Sequence, residues 1–287
     1  AFCIFADEMV DVAVLEAGMG GSWDATRLAN SEIAGLTNVG SDHAGWLGPD
    51  PESIARDKGQ ALANARQAVI GPGVDQALVS ALGSPNARRA QTLVQCSDLG
   101  DGRLQARWED RKGGRFRPPL RGAFQLENLE LALALSIEAA DAGLIDRLEP
   151  SRIQVALERL SWPGRLTTHR VNGREVVMDC AHNLEAAEAL AGYLGGLKGR
   201  YNLLFSCLGD KPVEAMAKVL VPRVDDIVVC PLDDARAMPV ERLAAAFPGA
   251  AVASNPRSAL ESLSDPVLAA GSIRLVGALY ALAEETT

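Results

Sequence analysis

Glu175-Val-Val-Met-Asp179-Cys180-Ala181-His182-Asn183, running into Leu184-Glu-Ala-Ala-Glu-Ala-Leu190, is the stretch on which the fold turns. A short apolar run stops at an acid and passes directly into an alanine-rich helix, the pattern of a buried parallel strand that delivers polar side chains at its carboxyl end. Just upstream, Val171-Asn172-Gly173-Arg174 offers a tight hairpin turn. Downstream the alternation repeats. Tyr201 to Cys207 reads as a strand, Pro212 to Val221 as a helix, Asp226 to Cys230 as a strand and Pro239 to Ala246 as a helix, and a further strand, helix and strand reach the chain end. Such alternation predicts a doubly wound, Rossmann-like α/β domain.

Ser161-Trp162-Pro163-Gly164-Arg165 interrupts the helical pattern with a Pro-Gly pair, which places a domain boundary between residues 162 and 163. Residues 1–162 form the other expected domain, a mostly parallel sheet with helices. Val10 to Leu15, ended by Gly18, Gly20 and Gly21, predicts a buried strand closing on Glu16, and Ile33 to Val39 a second strand stopping at Gly40-Ser41-Asp42-His43. Asp50-Pro51-Glu52 starts a helix to about Ala65: Asp50 caps, Pro51 suits the first helical position, and Glu52 favours the positive end of the dipole. Gln67 to Gly71 is a third strand, followed from Thr92 to Gly114 by short strands and Gly-rich turns. A long helix over Gln125 to Ala142 carries Leu126, Leu129, Leu133, Ile137 and Ala140 on one face, and one more helix covers Pro150 to Leu160. The first strand arrives almost at once, without an initiator Met, so an N-terminal portion of this domain is expected to be missing from the 287 residues.

Composition bounds the function. Hydrophobic residues make up 48% and charged residues 23%, a packed globular balance. The 28 Lys and Arg against 37 Asp and Glu leave a formal charge of -9, which speaks against a nucleic-acid partner. No apolar run approaches a membrane span and no basic-then-apolar leader opens the chain, so the expected compartment is the cytoplasm. Five widely spaced cysteines with no C-x-x-C pair read as reduced, buried thiols and not as zinc ligands. There is no G-x-S-x-G elbow, which disfavours a covalent hydrolase.

Several polar groups stand where chemistry is done. Glu16, ending a strand, must be ion-paired, protonated or bound to a cation. His43, one of three histidines, ends a neighbouring strand, so the two could converge on a hard cation or stay structural. Lys58 shares a helix face with Ile54, Ala61, Leu62 and Ala65. Its amine either snorkels to water or, if buried, acts as a base, a Schiff-base former or a site of carbamylation. At Asp179 to Asn183 the backbone amides of a helix start favour a phosphate, His182 can donate to it, and Asp179 can accept from a ribose hydroxyl. Arg165 can reach the same anion. Asp210, Lys211 and Arg236 follow later strands and either line the cleft or are solvated.

Taken in order, these segments resemble the folylpolyglutamate synthase and dihydrofolate synthase family of the Mur ligase superfamily. The resemblance rests on Glu16-Ala-Gly-Met-Gly-Gly with Asp24-Ala-Thr, Thr37-Asn-Val-Gly-Ser-Asp-His43, Leu47-Gly48 with Ile54-Ala-Arg-Asp-Lys58, Gly122-Ala-Phe-Gln125-Leu-Glu-Asn128, Pro163-Gly-Arg165, Asp179-Cys-Ala-His182-Asn183 and Asp210-Lys211. It implies a central ATPase domain followed by a smaller glutamate-ligase domain, and ATP-dependent joining of L-glutamate to a folate or dihydropteroate carboxylate through an acyl phosphate. By the same resemblance Glu16 and His43 hold magnesium, a carbamylated Lys58 helps hold a second magnesium, and Asn128 faces adenine. Arg165 and His182 meet phosphate, Asp179 meets the ribose, and the enzyme is a monomer. The family's G-x-x-x-x-G-K-[ST] phosphate loop does not occur in these residues, so this chain alone is not expected to turn over ATP. A cell-wall amino-acid ligase of the Mur type, or a non-catalytic nucleotide-binding paralogue, are the alternatives. The Asp-Cys-Ala-His-Asn segment favours the folate branch.

Overall fold

The computed structural model describes residues 1–100, 102–108 and 112–284. The chain divides into two compact units, one of residues Ala1–Pro119 with Phe124–Arg159, the other of Leu120–Ala123 with the residues from Leu160 on.

The first unit opens with helix α1 (Phe2–Asp7). Val10 to Glu16 follows as irregular backbone and not as the expected strand, and Val14 is 93% exposed. An apolar run becomes a strand when a neighbour pairs its amides and carbonyls. Here strand β1 (Ile33–Asn38) has β2 (Gln67–Gly73) on one side only, in a parallel sheet of order β1-β2-β3, β3 being Arg88–Arg89. Between β1 and β2 lie helix α2 (Ala44–Leu47) and helix α3 (Pro51–Gly59). Asp50 caps α3, its carboxylate accepting from the Ser53 amide at 2.8 Å, with Pro51 in the first turn. The helix ends at Gly59, short of the expected Ala65. There the backbone lies so close to the next turn that a Cβ on Gly59 would sit 2.1 Å from the Leu82 carbonyl oxygen.

After α4 (Ala90–Leu93), the strands β4 (Val94–Gly100), β5 (Arg103–Trp108) and β6 (Lys112–Phe116) form an antiparallel sheet. Helix α5 (Phe124–Asp141) packs against β1, β2 and β4, and α6 (Pro150–Arg159) against β6. Leu131, Leu133, Ala134 and Ile137 of α5 are buried with Val69, Trp108 and Phe116. On the other face, Leu36, Ala55, Leu62 and Ile70 bury α3 against the parallel strands.

The second unit is a six-stranded sheet of order β11-β10-β9-β12-β8-β7. Its members are β7 (Thr167–Val171), β8 (Arg174–Met178), β9 (Tyr201–Phe205), β10 (Val224–Val229), β11 (Ala251–Val252) and β12 (Val267–Ala270). The expected hairpin forms between β7 and β8, with Asn172 at φ 48° and Gly173 at φ 79°, the left-handed pair that a two-residue turn requires. Every other pairing is parallel. The central strands are apolar on both faces, as covering helices demand: Val267, Leu268, Ala269 and Ala270 are all fully buried. The connecting helices are α7 (Leu184–Gly195), α8 (Val213–Leu220), α9 (Val240–Ala246) and α10 (Pro256–Ser262).

The chain closes with helix α11 (Ile273–Glu284) where a strand was expected. Its buried residues Leu275, Val276, Leu279 and Ala283 recur at steps of one, three and four, a helical spacing and not the two-residue alternation of a half-buried strand. Among the described residues no helix is long and apolar enough to cross a membrane. All five cysteines are free; Cys180, Cys207 and Cys230 are buried, Cys96 is half-buried and Cys3 is exposed, against the expectation that all would be buried.

Candidate functional site

In the second unit, β8 ends where the deciding stretch places its polar residues. Asp179 is 4% exposed and both its oxygens are used: Oδ2 accepts from the Leu166 amide at 3.0 Å and Oδ1 from the Ala181 amide at 2.8 Å. Burial raises its pKa, while the amides of Ala181 and Leu166 and the charges of Arg165 and His182 oppose the rise. The Cys180 amide donates to the Gly164 carbonyl at 2.8 Å. Gly164 has φ +72°, and a Cβ there would lie 2.4 Å from Cys180 Sγ, so glycine is required on both counts. Asp179 thus sews Pro163-Gly164-Arg165-Leu166 onto the end of β8 and leaves the Arg165 side chain exposed beside it.

His182 Nδ1 lies 2.9 Å from the Cys180 carbonyl. A carbonyl only accepts, so Nδ1 carries the proton, and Nε2 donates to an anion only in the imidazolium form. Asn183 caps α7 by accepting from the Ala186 amide at 2.9 Å. Arg165, Asp179 and His182 are therefore brought together.

Parallel strands send their carboxyl ends to one edge of the sheet, so the loops after β8, β9, β10 and β12 share it. After β9 stand Ser206, whose fully buried Oγ has no partner among the described residues, and Lys211, 8% exposed, with Nζ 3.5 Å from Asp210. After β10 comes Asp234, which pairs with Arg236 and with Arg274 of α11. Ser206, Asp234 and Arg274 are absent from the sequence reading. Nothing in a single serine, aspartate or arginine marks it before the sheet order brings these loops side by side.

In the first unit, Asp24 organises the Gly-rich segment. Its Oδ2 accepts from the amides of Gly18 at 2.8 Å and Met19 at 3.1 Å, and its Oδ1 from the Thr26 amide and hydroxyl at 2.9 and 2.6 Å. Asp57 Oδ1 accepts from the Gly21 amide at 3.0 Å. Gly21 lies against α3 so closely that a Cβ would come 2.5 Å from the Ala61 nitrogen. Sequence reading saw the glycines and missed the two aspartates that hold them.

The Thr26 hydroxyl, with the amides of Thr26, Met19 and Gly18, lowers the pKa of Asp24 to about 2. Because the folded value lies below the ordinary 3.8, the order that Asp24 gives this loop is fully present above that value and is lost as pH falls through about 2. A titration of the Gly18 and Met19 amide resonances is expected to show a midpoint near 2. At neutral pH, Asp24→Ala is expected to speed hydrogen exchange at both amides. A midpoint at 3.8, or unchanged exchange in the variant, would overturn this.

Lys58 is half-buried, with Ile54 and Leu62 of the anticipated stripe buried around its helix, and Nζ donates to the Asn38 carbonyl at 3.3 Å, the last residue of β1. Glu127 reaches the same strand ends: a Cβ on Gly73 would stand 3.3 Å from Glu127 Oε2 and 3.2 Å from Asn38 Cβ. Asn128 is exposed and donates to Gln125 Oε1 at 3.0 Å. His43, at φ 62°, is exposed with Nε2 3.8 Å from Asp42 Oδ2. Glu16 is exposed on irregular backbone, so it does not end a buried strand as expected. Among the described residues no three His, Cys, Asp or Glu side chains gather for a metal ion. Glu16 and His43 suit a cation by donor type but are not assembled for one, and no step below passes through a metal.

Residues 164–278 match the family model described as Mur ligase, glutamate ligase domain. A relative from Mycobacterium tuberculosis, dihydrofolate synthase/folylpolyglutamate synthase, is 35% identical over 264 residues, which cover 86% of this chain and 54% of the relative. The chain thus spans about half the length of that relative. A solved structure of Mycobacterium tuberculosis folylpolyglutamate synthase with ADP and AMPPCP is 30% identical at a TM-score of 0.82, covering 98% of this chain and 70% of that one. A bifunctional folylpolyglutamate synthase/dihydrofolate synthase from Yersinia pestis, complexed with AMPPNP and Mn ion, is 25% identical at a TM-score of 0.80 over 98% of this chain and 68% of that one.

Proposed function

Since this chain belongs to the folylpolyglutamate synthase and dihydrofolate synthase family of Mur ligases, we propose that it forms the greater part of an ATP-dependent ligase that adds L-glutamate to a folate or dihydropteroate carboxylate. The observation that carries this reading is the loop after β8. A buried aspartate, a histidine with Nδ1 tied down and an exposed arginine meet there at the start of a twelve-residue helix. Amides at a helix start and cationic side chains suit a nucleotide's phosphates.

In this reading ATP transfers its terminal phosphoryl group to the acceptor carboxylate and ADP leaves. The glutamate amine then attacks the acyl carbon, phosphate departs, and the amine loses a proton as the amide forms. Both partners of the first step are anions, so the residues of this chain act chiefly by holding negative charge in place. Arg165 and the imidazolium of His182 would face phosphate oxygens, Asp179 the ribose and Asn128 the adenine. A divalent ion bound with ATP would neutralise charge between the two anions. Ligand roles for Glu16, His43 and Lys58, carbamylated in the last case, rest on the family resemblance. Small-molecule substrates, a monomer and a cytoplasmic setting complete the proposal.

The experiment is phosphate release by the full-length protein with ATP, magnesium and glutamate, comparing dihydropteroate with tetrahydrofolate and weighing the product. A gain of one glutamyl unit on either acceptor is expected. No turnover on either would overturn the reading.

A further inference from the structure

Asp234 lies on the loop after β10, and its carboxylate meets two guanidinium groups, Arg236 Nε at 3.5 Å and Arg274 Nε at 3.2 Å. Arg274 stands in the first turn of α11, directly after β12, so the cluster shares the sheet edge that carries Asp179 and His182. The exposures run in opposite senses: the Asp234 side chain is 12% exposed, Arg236 69% and Arg274 59%. The carboxylate lies beneath, and the cationic ends face outward.

The backbone of the cluster is fixed. The Gly209 amide donates to the Arg236 carbonyl at 2.8 Å and the Met238 amide to the Cys207 carbonyl at 2.9 Å, with a bridge between Leu208 and Ala237. Asp234 also accepts from the Arg236 amide at 2.9 Å, and Ser272 Oγ from the Arg274 amide at 3.1 Å. Asp234 engages each arginine through Nε, and among the described residues no protein group makes a hydrogen bond to their terminal nitrogens. Exposed ion pairs add little stability, and two like charges held side by side over one carboxylate leave an excess positive charge. What such an arrangement does well is receive a carboxylate, because the guanidinium fork matches its two oxygens.

We propose that Arg236 and Arg274, aligned by Asp234, form the subsite that takes a carboxylate of the incoming amino acid. The inference rests on the ligase reading, whose amine donor carries two carboxylates beside the attacking nitrogen. Arg236 and Arg274 touch the substrate, and Asp234 is a positioning residue. Presetting both forks lowers the ordering cost of binding.

The test uses the full-length enzyme with ATP, magnesium and a saturating acceptor. Arg236→Gln and Arg274→Gln are each expected to raise the KM for glutamate by about tenfold or more while the KM for ATP stays within about twofold, the signature of lost substrate binding. Arg236→Lys and Arg274→Lys are expected to raise it less, because the charge remains while the fork is lost. Asp234→Asn is expected to raise the same KM with ATP unaffected. An unchanged glutamate KM in both Gln variants, or a parallel rise in the KM for ATP, would overturn the subsite. Absence of ligation by the wild-type enzyme would instead overturn the ligase reading and this inference with it.

Discussion

Asp179→Ala is expected to cost the second unit about 2–4 kcal/mol, because it strands two amides that Asp179 alone satisfies, each at about 1–3 kcal/mol. Those donors are Leu166 and Ala181, on the two segments that Asp179 ties together. Asp179→Asn keeps one acceptor oxygen and turns an amine toward the other donor, so it should lose less than alanine but more than a surface change. The pH dependence follows from burial. The folded pKa of Asp179 is raised, so its contribution is fully present below the ordinary 3.8 and declines as pH rises through the folded value. The wild-type advantage over the alanine variant should therefore be larger in mild acid than at neutral pH. Denaturant unfolding on both sides of that interval measures it, and an advantage within experimental error of zero at either pH would remove Asp179 from this role. The same variant is expected to weaken ATP more than glutamate in direct titration, since Arg165 and His182 both depend on the loop it holds.

Lys58→Arg in the full-length protein is expected to reduce ligation by about 10²–10³-fold, the scale of losing a group that offsets charge in the reacting complex. Arginine keeps the positive charge and can still donate to the Asn38 carbonyl, which Lys58 Nζ meets at 3.3 Å. What it cannot do is lose a proton and bond carbon dioxide, because its guanidinium stays protonated. The substitution separates a lysine needed for its cation from one needed for its amine. Full turnover in the variant without added bicarbonate would sink the carbamate role, and a shifted unfolding midpoint would show a packing effect instead.

The second unit was legible almost residue by residue because each of its strands is a short run apolar on both faces, bounded by a turn or a helix cap. Val176 to Met178 and Leu203 to Phe205 are buried, as such runs demand. The exception was α11: a run such as Leu275, Val276 and Leu279 near a chain end is short enough to read as either element until its period is counted. In the first unit the reading of Val10 to Glu16 failed because apolarity says nothing of whether a pairing neighbour is present. The limit of α3 escaped because the approach of Leu82 to Gly59 is a contact across 23 positions. Of the candidate site, the Asp179 to Asn183 loop and Lys58 declared themselves by local pattern. Asp24, Asp57, Glu127 and the triad of Asp234 with Arg236 and Arg274 did not, since each works through partners that only the fold brings near.

The placement of the five thiols gives this protein two built-in clocks. Burial pushes Cys207 and Cys230 in the second unit, and Cys96 in the first, up to about 12, so their reaction with a thiol reagent at neutral pH waits for the surrounding structure to open. Cys3, exposed on α1, accepts the reagent at once and marks the zero of the time scale. The lag at Cys96 then reports the opening of the antiparallel sheet, and the lag at Cys207 and Cys230 that of the six-stranded one. Adding nucleotide should lengthen whichever lag belongs to the half that grips it, which makes a cysteine-labelling time course a binding map that needs no turnover.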